Sequence, residues 1–240
     1  MIKLVHLSKS YGGTAAVSDV NLRVQPGEVF GFIGPNGAGK TTTIKMMAGL
    51  LSPTHGSVFI DGVDMAKDPV RAKLKIGLIP DRPFLYEKLT AMEFLQFTAG
   101  LYNVGRQVFA EKSRELLGRF SLSDRANELI EAYSHGMKQR LIMCAALLHE
   151  PQILIVDEPM VGLDPRGIKM VKALFRTLAQ NGTTVFMSTH TLRLAEEVCD
   201  RIAIIHKGVI MATGTLQDLQ QHIQNGDADL EQVFFEITQE

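Results

Sequence analysis

The chain predicts an α/β fold, on three observations. Its first third is a run of short apolar segments bounded by Gly, Pro and Asp, the mark of strands separated by turns. Between about residues 85 and 150 the apolar residues recur at three- and four-residue spacing, as on helix faces. Beyond that, two near-continuous apolar runs of strand length flank a helical segment, the pattern of a parallel βαβ unit.

Taken in order, the early strands are IKLVHL at 2–7, VNLRV at 20–24, EVFGFIG at 28–34, SVFIDG at 57–62 and a hydrophobic stretch ending at Ile79. Phe94, Phe97 and Leu101, then Leu116, Leu117 and Phe120, set the helical rhythm of an insert over 85–150. QILIV at 152–156 and TTVFMSTH at 183–190 read as parallel strands buried on both faces, with IKMVKALFRTLAQ at 168–180 as the crossover helix. RIAIIHKGVIMATG at 201–214 places Lys207-Gly208 between two apolar runs, as a hairpin does. The tail from Leu216 reads as polar and helical, and no internal repeat or low-complexity segment interrupts the chain.

Composition limits the function. The 240 residues are 45 % hydrophobic and 21 % charged with a formal net charge of −1, which excludes disordered and fibrous classes and disfavours a nucleic-acid partner. The longest apolar run, Leu141 to Leu148, falls far short of the roughly 20 residues a helix needs to cross a bilayer. The start, MIKLVHLSKSYGG, has no apolar core of secretory length, so a cytoplasmic chain is expected, and Cys144 and Cys199 suit a reducing compartment.

The chemistry starts at Gly34-Pro35-Asn36-Gly37-Ala38-Gly39-Lys40-Thr41, which matches GxxxxGK[ST] between a strand and the helical TTIKMMAGLL. Glycines let backbone N–H groups approach phosphate oxygens, and the helix start that follows adds unpaired amides. Lys40 adds a point charge near the terminal phosphates, and the Thr41 hydroxyl can bind Mg²⁺. A second acidic element follows: Ile153-Leu-Ile-Val-Asp157-Glu158 ends a buried strand in two carboxylates at the sheet edge where ligands of α/β folds bind. Asp157 would hold Mg²⁺ through its water shell, leaving Glu158 to orient or deprotonate the attacking water.

These residues, with others in the same order, resemble the ATP-binding subunits of ABC transporters through nearly the whole chain. Tyr11 falls where an aromatic stacks on adenine in this family, and the phosphate loop spans 34–42 to include Thr42. Pro80-Asp81 stands at the family's glutamine loop, Tyr133-Ser134-His135-Gly136-Met137-Lys138-Gln139-Arg140 is similar to the signature motif, Gly162-Leu-Asp164-Pro165 to the loop joining two active sites of a dimer, and Ser188-Thr-His190 to the switch-histidine strand. The resemblance implies a P-loop NTPase with a RecA-like core, an antiparallel β subdomain and a helical signature subdomain. It would form one ATP-binding domain over 1–240: a β subdomain and phosphate-loop part at 1–84, helices at 85–150, the rest of the core at 151–215 and a tail at 216–240.

It also implies roles. ATP and Mg²⁺ are the cofactors, with Thr41, Asp81 and Asp157 toward the metal, and Glu158 and His190 catalytic. Ser134, His135, Gly136 and Met137 form an anion site that closes over the partner's nucleotide, and Asp164 lies at the dimer junction. The other histidines, His6, His55, His149, His206 and His222 among them, show no metal-ligand spacing. Three positions differ from the commonest pattern: Asp81 replaces a glutamine and cannot donate a hydrogen bond. His135 replaces a glycine and is strained if the position needs positive φ, and Met137 replaces a glutamine. Such variants, and the tail LEQVFFEIT, resemble the branch that exports drugs, antibiotics, lipids or polysaccharides. The expected function is an ATPase that dimerises head to tail with itself or a paralogue around two ATP–Mg²⁺. It would drive separate transmembrane permease subunits through residues 80–105, peripheral on the inner face of the cell membrane. The alternatives are an ATPase acting on a soluble complex and a nucleotide-sensing regulator.

Overall fold

Backbone pairing follows the apolar runs. The computed structural model describes residues 1–82, 84–160, 162–221 and 228–238. The first half runs β1 (Ile2–Tyr11), β2 (Thr14–Val24), β3 (Val29–Ile33), α1 (Lys40–Met47), β4 (His55–Ile60), β5 (Val63–Asp64), α2 (Pro69–Lys73), β6 (Ile76–Ile79), α3 (Ala91–Leu101) and α4 (Arg106–Arg119). Two short 3₁₀ turns lead to α5 (His135–Leu147), β7 (Ile153–Asp157), α6 (Pro165–Gln180), β8 (Thr184–Thr189), α7 (Leu192–Val198), β9 (Arg201–His206), β10 (Val209–Gly214), α8 (Leu216–Gln220) and α9 (Leu230–Thr238).

Two sheets result. β2-β1-β4-β5 is antiparallel and buries one face, with Ile2, Leu4, Leu7, Val17, Val20, Leu22 and Val24 pointing inward at alternate positions broken only by bulges. The second sheet has the order β10-β9-β3-β8-β7-β6; every pair from β9 to β6 is parallel, and β10 alone runs antiparallel as the second arm of the hairpin. β3, β7 and β8 are buried at every position, which is why they read as continuous apolar runs rather than alternating ones.

The helices of the 85–150 stretch share one apolar core with the sheet. Phe94, Leu95, Leu116, Phe120, Leu141 and Met143 belong to the same cluster as Leu154, Val156, Val185 and Met187. Some helix starts have a local cause: Thr90 and Glu93 close a capping box on α3, and Asp164 caps α6 ahead of Pro165.

Four features depart from the sequence expectation. β5, α2 and α7 are present but too short for a periodic signal. The C-terminal tail is helical but not polar throughout: Leu230, Val233 and Phe234 of α9 are buried with Leu219 against Ile33, Ile202 and Ile204, at the i, i+3, i+4 spacing of an amphipathic face. Tail residues 222–227 and 239–240 lie outside the described residues. Among the described residues no helix is long and apolar enough to cross a membrane.

Candidate active site

Because β3, β6, β7 and β8 are parallel, their carboxyl ends share one edge, and the loops leaving that edge carry the candidate residues. Leaving Ile33, the chain turns through 34–39 before α1 begins at Lys40. Gly39 takes φ +107°, and a Cβ there would come within 2.6 Å of the Ala16 carbonyl oxygen, so only glycine lets the loop lie against β2. The loop is tied by Ala38 N–H donating to the Pro35 carbonyl at 3.2 Å and by Gly208 N–H donating to the Ala38 carbonyl at 3.0 Å. The buried Lys40 folds back over it, its ammonium donating to the carbonyls of Gly34 at 2.7 Å and Pro35 at 3.1 Å. Burial lowers the Lys40 pKa, opposed by the neighbouring charges of Glu158 and Asp157.

At the end of β7 the Asp157 carboxylate is buried with both oxygens engaged. The Thr41 hydroxyl donates to Oδ2 at 2.9 Å and the Ser188 hydroxyl to Oδ1. The next residue, Glu158, leaves the strand with φ +51°, an unusual value for a non-glycine residue and one that turns its side chain toward the end of β8. There Oε1 accepts from the His190 backbone N–H at 3.0 Å and faces His190 Nδ1 at 2.7 Å, while Oε2 accepts from the Thr189 hydroxyl at 3.2 Å. An ionised carboxylate only accepts, so Nδ1 is assigned the proton.

Asn36, Gly37, Gly39, Lys40, Thr41, Thr42, Asp81, Asp157 and Glu158 line one cleft of about 230 Å³ with Ala16. The structure thus brings together the phosphate-loop residues, the three acids and, through Glu158, His190. Pro35 and Ala38 frame the loop from behind, Ala38 being buried. Tyr11 is not in the cleft wall; it stands half exposed at the β1–β2 tip, opposite Thr14. The signature residues lie elsewhere: the Ser134 hydroxyl accepts from the Met137 N–H at 3.3 Å as the cap of α5. His135 is the first residue of that helix and does not adopt positive φ, so the expected strain is absent. Its ring lies against Gly162, where a Cβ would fall 2.2 Å from His135 Cδ2, and Gly136 faces the Gly162 carbonyl, so the signature start and the 162–164 loop touch within one chain. Asp164 accepts from the Gly167 N–H at 3.0 Å.

Sequence reasoning missed Ala16, which contributes proximity and leaves no residue-type signal, and the hydroxyl roles of Ser188 and Thr189, which two hydroxyls at the end of a buried strand could have suggested. Both thiols are raised well above the usual range by burial, so neither Cys144 nor Cys199 is a nucleophile. Among the described residues no three His, Cys, Asp or Glu side chains are grouped to hold a metal alone. The oxygen pair of Thr41 and Asp157 fits a hard cation that takes its remaining ligands from water and phosphate.

This geometry has known counterparts. Residues 17–161 match the family model described as ABC transporter. The chain is 35 % identical over 240 residues to the ABC-type transporter ATP-binding protein EcsA of Bacillus subtilis (strain 168), covering 100 % of this chain and 97 % of that one. It is 38 % identical to the linearmycin resistance ATP-binding protein LnrL of the same strain, over 91 % of this chain and 70 % of LnrL. Among solved structures, the dimer of the ATP-binding cassette MJ0796 in a post-hydrolysis state with ADP and Pi superposes with a TM-score of 0.83 at 27 % identity, over 90 % of this chain and 99 % of the other. A phosphate loop, two strand-end acids and a strand-end histidine on one sheet edge, in a chain that matches the family model over residues 17–161 and EcsA over nearly the full length of both, place it in the ABC transporter family as an ATP-binding, ATP-hydrolysing subunit.

Proposed function

We propose that two copies, or one copy and a paralogue, close head to tail around two ATP–Mg²⁺, and that this closure drives separate membrane-spanning subunits in the direction of export. The observation carrying the catalytic part is the single cleft in which Lys40, Thr41, Asp157 and the oriented Glu158 converge. The solved MJ0796 dimer supports the two-chain arrangement, and the resistance named for LnrL supports export.

Each side chain then has a role. Lys40 and the loop amides bind the phosphates, while Tyr11 offers a ring face to adenine. Thr41 and Asp157, with Asp81 nearby, would hold Mg²⁺, which supplies charge neutralisation at the terminal phosphates. Glu158 accepts the proton of the attacking water; Thr189 and His190 fix its orientation, so no reorientation is needed at the moment of reaction. His190 donates through Nδ1 to Glu158, holding that carboxylate in register with the attacking water beside the terminal phosphate. The start of α5, with Ser134, His135, Gly136 and Met137, serves the partner's nucleotide, with the 162–164 loop and Asp164 beside it.

The permease surface is supported by an exposed aromatic group inside residues 80–105. Phe84 is 79 % exposed, and Tyr86 meets Phe84 and Phe97 edge-on at 5.9 and 5.5 Å. With Leu101 also exposed, the patch is of the kind that marks a protein interface, and it would bring the chain to the inner face of the membrane.

Glu158→Gln keeps the side-chain size and removes the base. It should retain ATP binding, lose hydrolysis by on the order of 10²–10⁴-fold, and accumulate as a dimer under saturating ATP–Mg²⁺ in size-exclusion chromatography. A chain that stays monomeric under those conditions would sink the proposal.

A further inference from the structure

We infer that Lys9 is a positioning residue for the nucleotide base. The inference rests on the proposed stacking of adenine on Tyr11 and adds to it what holds that ring in place. Tyr11 stands half exposed next to the Gly12-Gly13 turn, where packing alone does not fix a side chain. Lys9 and Tyr11 both lie at the end of β1 before the hairpin tip, where the register to β2 shifts at Lys9. The Lys9 ammonium lies 5.4 Å from the Tyr11 ring centroid, within cation–π range. It is not free to wander, because the same ammonium donates to the Ser52 carbonyl at 2.8 Å.

Ser52 belongs to the segment that leaves α1, the helix that begins at the phosphate loop. Two more bonds fasten this segment to β1: Thr54 N–H donates to the Ser8 carbonyl at 2.8 Å, and Ser10 N–H donates to the Thr54 hydroxyl at 3.1 Å. Lys9 therefore ties the aromatic ring to the element that carries the phosphate site. On the opposite strand Thr14 pairs with Tyr11 and Ala16 lines the phosphate cleft, two residues or about 7 Å farther along. A ring has two faces. With the cation fixed on one, the other is free to be presented to a base.

The chain contains no tryptophan, so Tyr11→Trp creates a single fluorescent reporter. ATP should quench it if the base stacks there. Adding Lys9→Met should weaken ATP binding roughly three- to tenfold, while inorganic tripolyphosphate, which has no base, binds with unchanged affinity by calorimetry. Absence of quenching at saturating ATP overturns the stacking reading itself. Quenching with an ATP affinity that Lys9→Met leaves unchanged overturns the role of Lys9 alone. Equal weakening of ATP and tripolyphosphate overturns it too, by showing that the lysine acts through its charge on the phosphates.

Discussion

Glu158 shows what a single residue does in this protein. Its φ of +51° costs backbone free energy on the order of 1–3 kcal/mol, and three hydrogen bonds from Thr189 and His190 at the end of β8 hold it there. A residue kept in that conformation has its carboxylate aimed before substrate arrives. Lys40 is the complementary case, a cation buried beneath the loop it serves and balanced by Glu158 and Asp157. Lys40→Ala should abolish nucleotide binding, a loss of at least about 100-fold in affinity, read by equilibrium titration with ATP; unchanged affinity contradicts the phosphate-loop role. Lys40, Thr41, Asp157 and Glu158, which the structure brings to one cleft, could be singled out in the chain because each is a chemically special residue in a motif at a strand end, whereas His190 was singled out only by the family resemblance. Ala16 was not, since its contribution is a backbone position brought close by tertiary packing. The helical φ of His135 was readable from Ser134, a preferred N-cap residue that makes 135 the first residue of α5, and was hidden only by comparison with a glycine position.

Among the elements, β6 is the edge strand of the large sheet, and its outward carbonyls need cover. His149, just beyond α5, donates through Nε2 to the Ile76 carbonyl at 3.1 Å, and its ring stacks on Tyr102 at the end of α3 with centroids 3.6 Å apart. Burial pulls the His149 pKa from 6.5 down to about 4, against a smaller upward pull from the Ile76 bond. Between those values the unfolded chain holds a proton that the folded chain does not, so this group's contribution to stability falls as pH drops from about 6.5 to about 4 and is constant below that. Discounted for residual solvent contact, the effect is on the order of 1–2 kcal/mol. His149→Gln keeps a donor toward Ile76 and should flatten that part of the dependence, seen as a smaller difference in Tm between pH 7 and pH 4.5 than the parent shows. An equal difference in both proteins rules the assignment out. Elements were legible in proportion to their length: the buried strands and long helices declared themselves by period, whereas β5, α2 and α7 give too few residues for a period to register. The tail misled because the apolar residues of α9 alternate with Glu and Gln along the chain, and only the helix shows that Leu230, Val233 and Phe234 share the face turned to the core while Phe235 stays exposed.

For the whole molecule, the C-terminal helix is structural cover for the catalytic sheet. Leu230, Val233 and Phe234 pack into the cluster that contains Ile33, the last residue of β3 before the phosphate loop. Ending the chain after residue 229 should therefore cost several kcal/mol of stability, at roughly 1.5–3 kcal/mol for each large buried side chain lost. The weakened shell should also raise the concentration of ATP needed for half-saturation. Chemical denaturation and nucleotide titration of the truncated protein check both, and a truncated chain as stable as the parent removes α9 from the core.

The hairpin tip at Lys207-Gly208 has a consequence for anyone who cuts, tags or rewires this chain. Hairpin tips are ordinarily where insertions and circular permutation succeed, because nothing leans on them. Here the Gly208 N–H donates to the Ala38 carbonyl and the Gly208 carbonyl accepts from the Ser18 N–H at 2.8 Å, so one residue joins the phosphate loop, the hairpin and the antiparallel sheet. An epitope or fluorescent domain spliced at that tip would pull apart a three-way seam, whereas the β1–β2 tip at Gly12-Gly13, with open space around both residues, would accept foreign sequence with the fold intact at the cost of the proposed base-binding corner.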